Sequence, residues 1–158
     1  MDHGLGGILL VERRLAEPYE KDYDRYLAEG PLRWHRQFDT SNWGLLIARA
    51  GEVTVGGAVV AWSTPGIHLL EERDDVAALW DIRVRPEDQG RGIGRALFSA
   101  AEGWARARGC DLLKVETQNV NLRACQFYLR QGCTLGSFNR FAYPELPDET
   151  QLIWYKRL

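Results

Sequence analysis

The chain has 158 residues, a formal net charge of −2, 45% hydrophobic and 27% charged residues. That length suits one domain, residues 1–158, able to bury about 70% of its unfolded surface. The balance of charge excludes a global basic field for nucleic acid, and no apolar run approaches the ~18 residues of a membrane span.

In chain order, residues 7–15 (GILLVERRL) read as a first strand ended by Pro18. The acidic, aromatic stretch 17–24 opens a helix that runs to about Glu29, where Gly30-Pro31 breaks it. Those acids form either a solvated face or the lining of a pocket for a cation. Residues 32–38 suit a second short helix. Residues 43–49 and Val53–Trp62 are β-prone runs around Ala50-Gly51-Glu52, and read as an antiparallel hairpin. Gly56-Gly57 inside the second run marks a bulge or a close backbone approach. Residues 63–75 form a loop whose charged end, Glu71 to Asp75, reads as solvated.

The rest of the chain is organised around residues 78–108. An apolar run, 77–84, meets Pro86 and a polar turn, and Gly90, Gly92 and Gly94 lead into a helical pattern. Past Gly92, Ile93, Ala96, Leu97, Ala100, Ala101 and Trp104 fall on one face of a 3.6-residue period. A strand, a glycine turn and a helix make an anion site. The first amides of the helix have no internal acceptor, and the dipole puts partial positive charge there. Arg91 and Arg95 add full charges, so a phosphate-bearing ligand is expected. A Walker A loop is excluded because Gly-Lys occurs nowhere, and a dinucleotide fingerprint is broken by Arg95 in place of its third glycine.

Gly109 ends this helix. Residues 111–117 form a strand that the right-handed crossover rule makes parallel to the central one. Residues 121–131 form a short helix closed by Gly132, and 134–143 and 151–156 are closing strands around a turn at 144–147. The pattern is a mixed α/β layer structure. The opening MDHGLGG does not read as a secretory signal, and Cys110, Cys125 and Cys133 are odd in number and at no zinc spacing. Reduced thiols in a cytoplasmic protein are expected, with no metal site from the scattered His3, His35 and His68.

Gln89-Gly90-Arg91-Gly92-Ile93-Gly94 fits the pattern Q/R-x-x-G-x-G/A, and Asn121, Ala124 and Tyr128 fit Asn-x-x-Ala-x-x-x-Tyr. In this order the two motifs resemble those of the GNAT N-acetyltransferases, over roughly residues 76–158 and more loosely throughout. The strings VETQNVNLRACQFYLRQGCTLGSF, FAYPELPDET and LIWYKRL, with PYEKDYD near the start, resemble the streptothricin acetyltransferases of that family.

The resemblance implies a central mixed, mostly antiparallel sheet flanked by helices, whose parallel central strands splay apart to admit acetyl-CoA. The pyrophosphate would sit on the amides of Gln89, Gly90, Arg91, Gly92, Gly94 and Arg95, and pantetheine would pair with the backbone from Ile82 to Val84. Asn121 would bond the cofactor arm, although its residue type equally suits a helix N-cap. Tyr128 would protonate the leaving thiolate; the plainer alternative is a half-buried core tyrosine. The family's strand positions for a base match Ala78 and Trp80, neither of which can do proton chemistry. Asp81 and Glu116 are the nearby candidates, though strict strand alternation sends Asp81 to the opposite face from Ala78 and Trp80. Cys125 has no histidine paired in sequence and reads as a buried small residue.

The implied activity is direct acetyl transfer to a primary amine of a small cationic molecule, such as a streptothricin-type antibiotic. Alternatives are a protein or peptide amine as acceptor, and a non-catalytic acyl-CoA sensor, which the missing base favours and Tyr128 opposes. A homodimer through the last strands is the partner expectation, with LIWY either exposed for it or buried as core.

Overall fold

One long hairpin starts the sheet. Strands β1 (Gly44–Ala50) and β2 (Val53–Trp62) pair antiparallel around a turn where Gly51 takes φ +60°. The computed structural model describes residues 11, 12, 14 and 31–158. The chain divides into two compact units, Met1–Arg33 and Trp34–Leu158, and every strand described lies in the second. The expected strand over 7–15 and helix over 17–29 fall outside the described residues, apart from positions 11, 12 and 14.

Strand β3 (Val76–Val84) pairs antiparallel with β2 and parallel with β4 (Leu112–Gln118). Strand β6 (Gln151–Arg157) inserts between β4 and β5 (Thr134–Asn139), antiparallel to both. The order is therefore β1-β2-β3-β4-β6-β5, a mostly antiparallel sheet with one parallel pair near its middle. Among the described residues the α-helices are α1 (Trp34–Gln37), α2 (Ile93–Arg106) and α3 (Leu122–Arg130).

Helices α2 and α3 cover one face. Of the stripe read from the sequence, Leu97 and Ala101 of α2 are buried and Ile93 and Trp104 partly so, whereas Ala96 and Ala100 are exposed. Phe98 and Ala105 complete the buried face instead, each large buried side chain worth about 1.5–3 kcal/mol. The small Ala101 and Ala105, both fully buried, let the helix lie close to the strands. Gly109 ends α2 as expected, with φ +77° and its N–H donating to Arg106 O at 3.0 Å. The second face buries Ala61, Ile67, Leu70, Val76, Ala78 and Ile153, with Phe38, Trp43 and Trp80 packed against them. The Trp80 ring lies 5.4 Å from both Trp43 and Phe38.

Two sequence expectations change here, and one that was open between two alternatives is decided. The strand expected over 134–143 ends at Asn139, because Asn139 Oδ1 accepts from Phe141 N at 2.9 Å and turns the chain. The LIWY run is core, with Leu152, Ile153 and Trp154 buried, because β6 lies inside the sheet rather than at its edge. The charged stretch 71–75 is not merely solvated. Glu71 pairs at 2.8 Å with the buried Lys114, and Asp75 holds Arg73 at 2.6 Å.

Candidate functional site

The parallel pair is short. Its register runs Val76 to Leu112, Ala77 to Leu113 and Ala78 to Lys114, and stops. Both strands continue, to Val84 and Gln118, without pairing to each other. From Leu79 onward β3 is bonded to β2 on one side and has no strand partner on the other among the described residues. The expected splay is therefore present, and it leaves an edge of backbone donors and acceptors in the middle of the sheet. Gly56 faces this strand so closely that a Cβ there would lie 2.7 Å from Arg83 O, which accounts for a glycine inside β2.

The glycine turn closes the end of β3. Pro86–Asp88 forms a 3-10 turn, Gly90 and Gly92 take φ +78° and +84°, and α2 begins with Gly92 as its N-cap. Among the described residues no side chain caps this helix, and its first internal bond runs from Ala96 N to Gly92 O. The amides before Ala96 therefore point out of the helix end without helical acceptors. Asp88, 7% exposed, holds Arg91 Nη1 at 2.5 Å and Arg85 Nε at 3.6 Å, fixing the turn from within.

Helix α3 starts beside it. A Cβ on Gly94 would lie 3.4 Å from the Phe127 ring, and Arg123 Nη1 donates to Gln89 Oε1 at 3.1 Å. Gln89 Nε2 in turn donates to Val84 O at 3.4 Å. Asn121 is the N-cap of α3, its Oδ1 accepting from Ala124 N at 3.1 Å. Thus Ile82 to Val84, the turn from Gln89 to Arg95, and Asn121 gather at the carboxyl end of the parallel strands.

The candidate catalytic groups lie on two faces. Tyr128 belongs to the helix-covered face, 5% exposed, with its ring 5.3 Å from Phe127 and 6.2 Å from Phe98. Asp81 requires a correction. The β2–β3 register passes from Val59–Asp81 to Val60–Leu79, so Trp80 is an extra residue in a bulge. Ala77 and Leu79 before it, and Ile82 and Val84 after it, all pack on the helix-covered core. Asp81 and Arg83 therefore share the opposite face with Ala78 and Trp80. Arg83 Nε donates to both Asp81 oxygens, at 2.9 and 3.0 Å.

Glu116 stands on that same second face of β4, alternating with Leu113 and Val115 of the helix side. Tyr143 donates its hydroxyl hydrogen to Glu116 Oε1 at 2.6 Å and accepts from Gln118 Nε2 at 2.9 Å. His68 Nε2 lies 3.1 Å from Glu116 Oε2. Burial, and then the bond to Glu116, push the Tyr143 phenol well above its ordinary range. Sequence reasoning passed over both partners. They lie 48 and 27 residues from Glu116, and no local pattern marks them. All three cysteines are buried and free, and burial raises each thiol, Cys133 to about 11. Cys125 is thus a packed residue rather than a nucleophile.

Residues 9–133 match the family model of the acetyltransferase (GNAT) family. The chain belongs to that family. A streptothricin acetyltransferase of Escherichia coli is 34% identical over 92 residues, which is 56% of this chain and 53% of that protein. Streptothricin acetyltransferase A of Bacillus subtilis (strain 168) is 32% identical over 91 residues, again 56% and 53%. A Bacillus anthracis str. Ames structure assigned to the streptothricin acetyltransferases, in complex with acetyl coenzyme A, superposes with a TM-score of 0.62. It is 28% identical, covering 71% of this chain and 61% of that one. The chain spans about half the length of the curated relatives it matches.

Proposed function

We propose that the protein is an acetyl-CoA-dependent N-acetyltransferase acting on a primary amine of a small cationic molecule, with a streptothricin-type antibiotic as the first acceptor to test. The observation that carries this reading is the parallel pair that parts after Ala78 and Lys114, in front of a helix N-terminus that no side chain caps. A diphosphate fits the amides from Gln89 to Arg95, and an extended amide-bearing arm fits the open backbone edge from Ile82 to Val84. Asn121 and Arg123 border the same end of the sheet. Acetyl-CoA supplies a thioester acetyl group; the protein supplies position and proton traffic.

The gap between β3 and β4 lets groups on the two faces reach one molecule. From the helix side Tyr128 gives a proton to the departing thiolate. From the other side a carboxylate takes the proton that the acceptor ammonium must lose. With an amine pKa of about 10.4, about one molecule in 2,500 is neutral at pH 7, a cost of about 4.6 kcal/mol. Asp81 has both oxygens turned to Arg83, which suits it to orienting a cationic acceptor. Glu116 is the better base, because its partners are a phenol and an imidazole rather than a fixed cation.

The test is free-thiol release from acetyl-CoA against streptothricin, polyamines and peptides, repeated with Tyr128→Phe. Streptothricin-dependent release that falls sharply in the variant supports the reading. Binding of acetyl-CoA without turnover on the whole panel replaces it with a sensor, and absence of binding overturns it.

A further inference from the structure

Glu116 takes up one proton per turnover in the reading above, and on that reading it must pass the proton on. Its side chain is 23% exposed, whereas that of His68 is 65% exposed and stands 3.1 Å away. We propose that His68 is the proton outlet of the site, carrying the proton from Glu116 Oε2 to solvent.

His68 is exposed yet fixed. It opens a 3-10 turn, His68–Leu70, whose apolar neighbours Ile67, Leu69 and Leu70 are buried in the second face of the sheet. The turn is tied to β4 a second time by the 2.8 Å pair of Glu71 with Lys114, whose side chain is 2% exposed. Glu71 and Glu72 hold φ +51° and +54°. Such backbone is unfavourable for a residue with a side chain, and it persists where surrounding contacts over-determine it. The two ties place residues 68 and 71 against positions 116 and 114 of one strand. The imidazole is therefore delivered to Glu116 by a braced turn.

The other oxygen of Glu116 is held by Tyr143, which also accepts from Gln118. The carboxylate thus has a half-buried donor on one side and a solvent-facing imidazole on the other. On the same turn Glu71 is paired with Lys114 of β4. The transfer balances without any further reactant. The N–H bond of the acceptor ammonium breaks as an O–H bond forms on Glu116. That O–H then breaks as Nε2 of the Nδ1–H tautomer takes the proton, and water removes it from the imidazolium.

The experiment uses the chain of residues 1–158 in dilute buffer at pH 7, with His68→Gln and His68→Ala. Glutamine can keep a hydrogen bond to Glu116 but cannot carry a proton. Both variants are expected to lose about tenfold to a hundredfold in kcat, with KM for acetyl-CoA unchanged. Added imidazole should restore His68→Ala in a saturable manner and leave the wild type unaffected. A His68→Gln enzyme at wild-type rate shows that the residue only positions Glu116, and overturns the proposal, as does a loss in His68→Ala that imidazole does not restore. Wild-type turnover with both variants unimpaired also overturns it, while leaving the acetyltransferase reading intact. A wild-type chain that acetylates no amine overturns that reading and this proposal with it.

Discussion

Replacing Tyr143 by Phe deletes one oxygen and two hydrogen bonds, the 2.6 Å bond to Glu116 and the 2.9 Å bond from Gln118. A hydrogen bond to a charged group contributes about 1.5–3 kcal/mol net, so a loss of about 2 kcal/mol is expected at pH 7. For a chain of this size that lowers Tm by about 4–8 °C. The same phenol gives an alkaline signature. Its folded-state pKa lies above the unfolded value of 10.0, so the neutral form is favoured by folding. The stabilisation is complete below pH 10 and is lost as pH rises beyond it. At pH 11 the wild type has given up about 1.4 kcal/mol through this group, and Tyr143→Phe has not. The stability gap between the two should therefore narrow from about 2 to about 0.6 kcal/mol between pH 7 and pH 11. Tyr155 and the cysteines, whose pKa values are also raised, contribute equally to both proteins and cancel. Urea unfolding followed by far-UV circular dichroism at the two pH values measures it. A destabilisation below about 0.5 kcal/mol with a gap independent of pH refutes the account of Tyr143 as a half-buried donor to a carboxylate.

Glu71→Gln leaves Lys114 buried without its counter-ion. A loss of about 2 kcal/mol in urea is expected, below the ~3–5 of a fully buried pair because the Glu71 side chain is 52% exposed; an unchanged midpoint would remove the pair as an anchor. Two glycines of one segment should respond with opposite sign. Gly92→Ala, at φ +84° with open space around a Cβ, should cost about 1 kcal/mol, whereas Gly103→Ala inside α2 with equal space should gain about 0.5–1 kcal/mol. Thermal denaturation of the two variants decides this. A thiol reagent at pH 7.5 should label none of the three buried cysteines in the native chain and all three in urea; rapid native labelling of Cys125 would reopen its assignment as packing.

Much of the candidate site was legible because it is made of local geometry. The step from apolar run to positive-φ glycines to amphipathic helix is written in residues 77–106, and the open amides at the start of that helix depend on spacing more than on side chains. Asn121 could be read as a helix cap for the same reason: a side chain bonding an amide three residues on is a local event. Where the reading failed, a distant contact or an irregular pairing intervened. One extra residue at Trp80, forced by pairing with β2, reversed the face assigned to Asp81. The charged run at 71–75 looked solvated because its buried partner, Lys114, lies more than forty residues away.

The sequence by itself determined the elements of residues 43–158, the hairpin, the glycine turn and the helix N-terminus behind it, since periodicity and turn chemistry act within a few residues. Only the tertiary structure decided where β3 and β4 part, that β6 and its LIWY run are interior, and that Glu116 is held between Tyr143 and His68. Those outcomes depend on strand order and register. Neither is encoded in any local window, because they are set by which distant surfaces exclude water together.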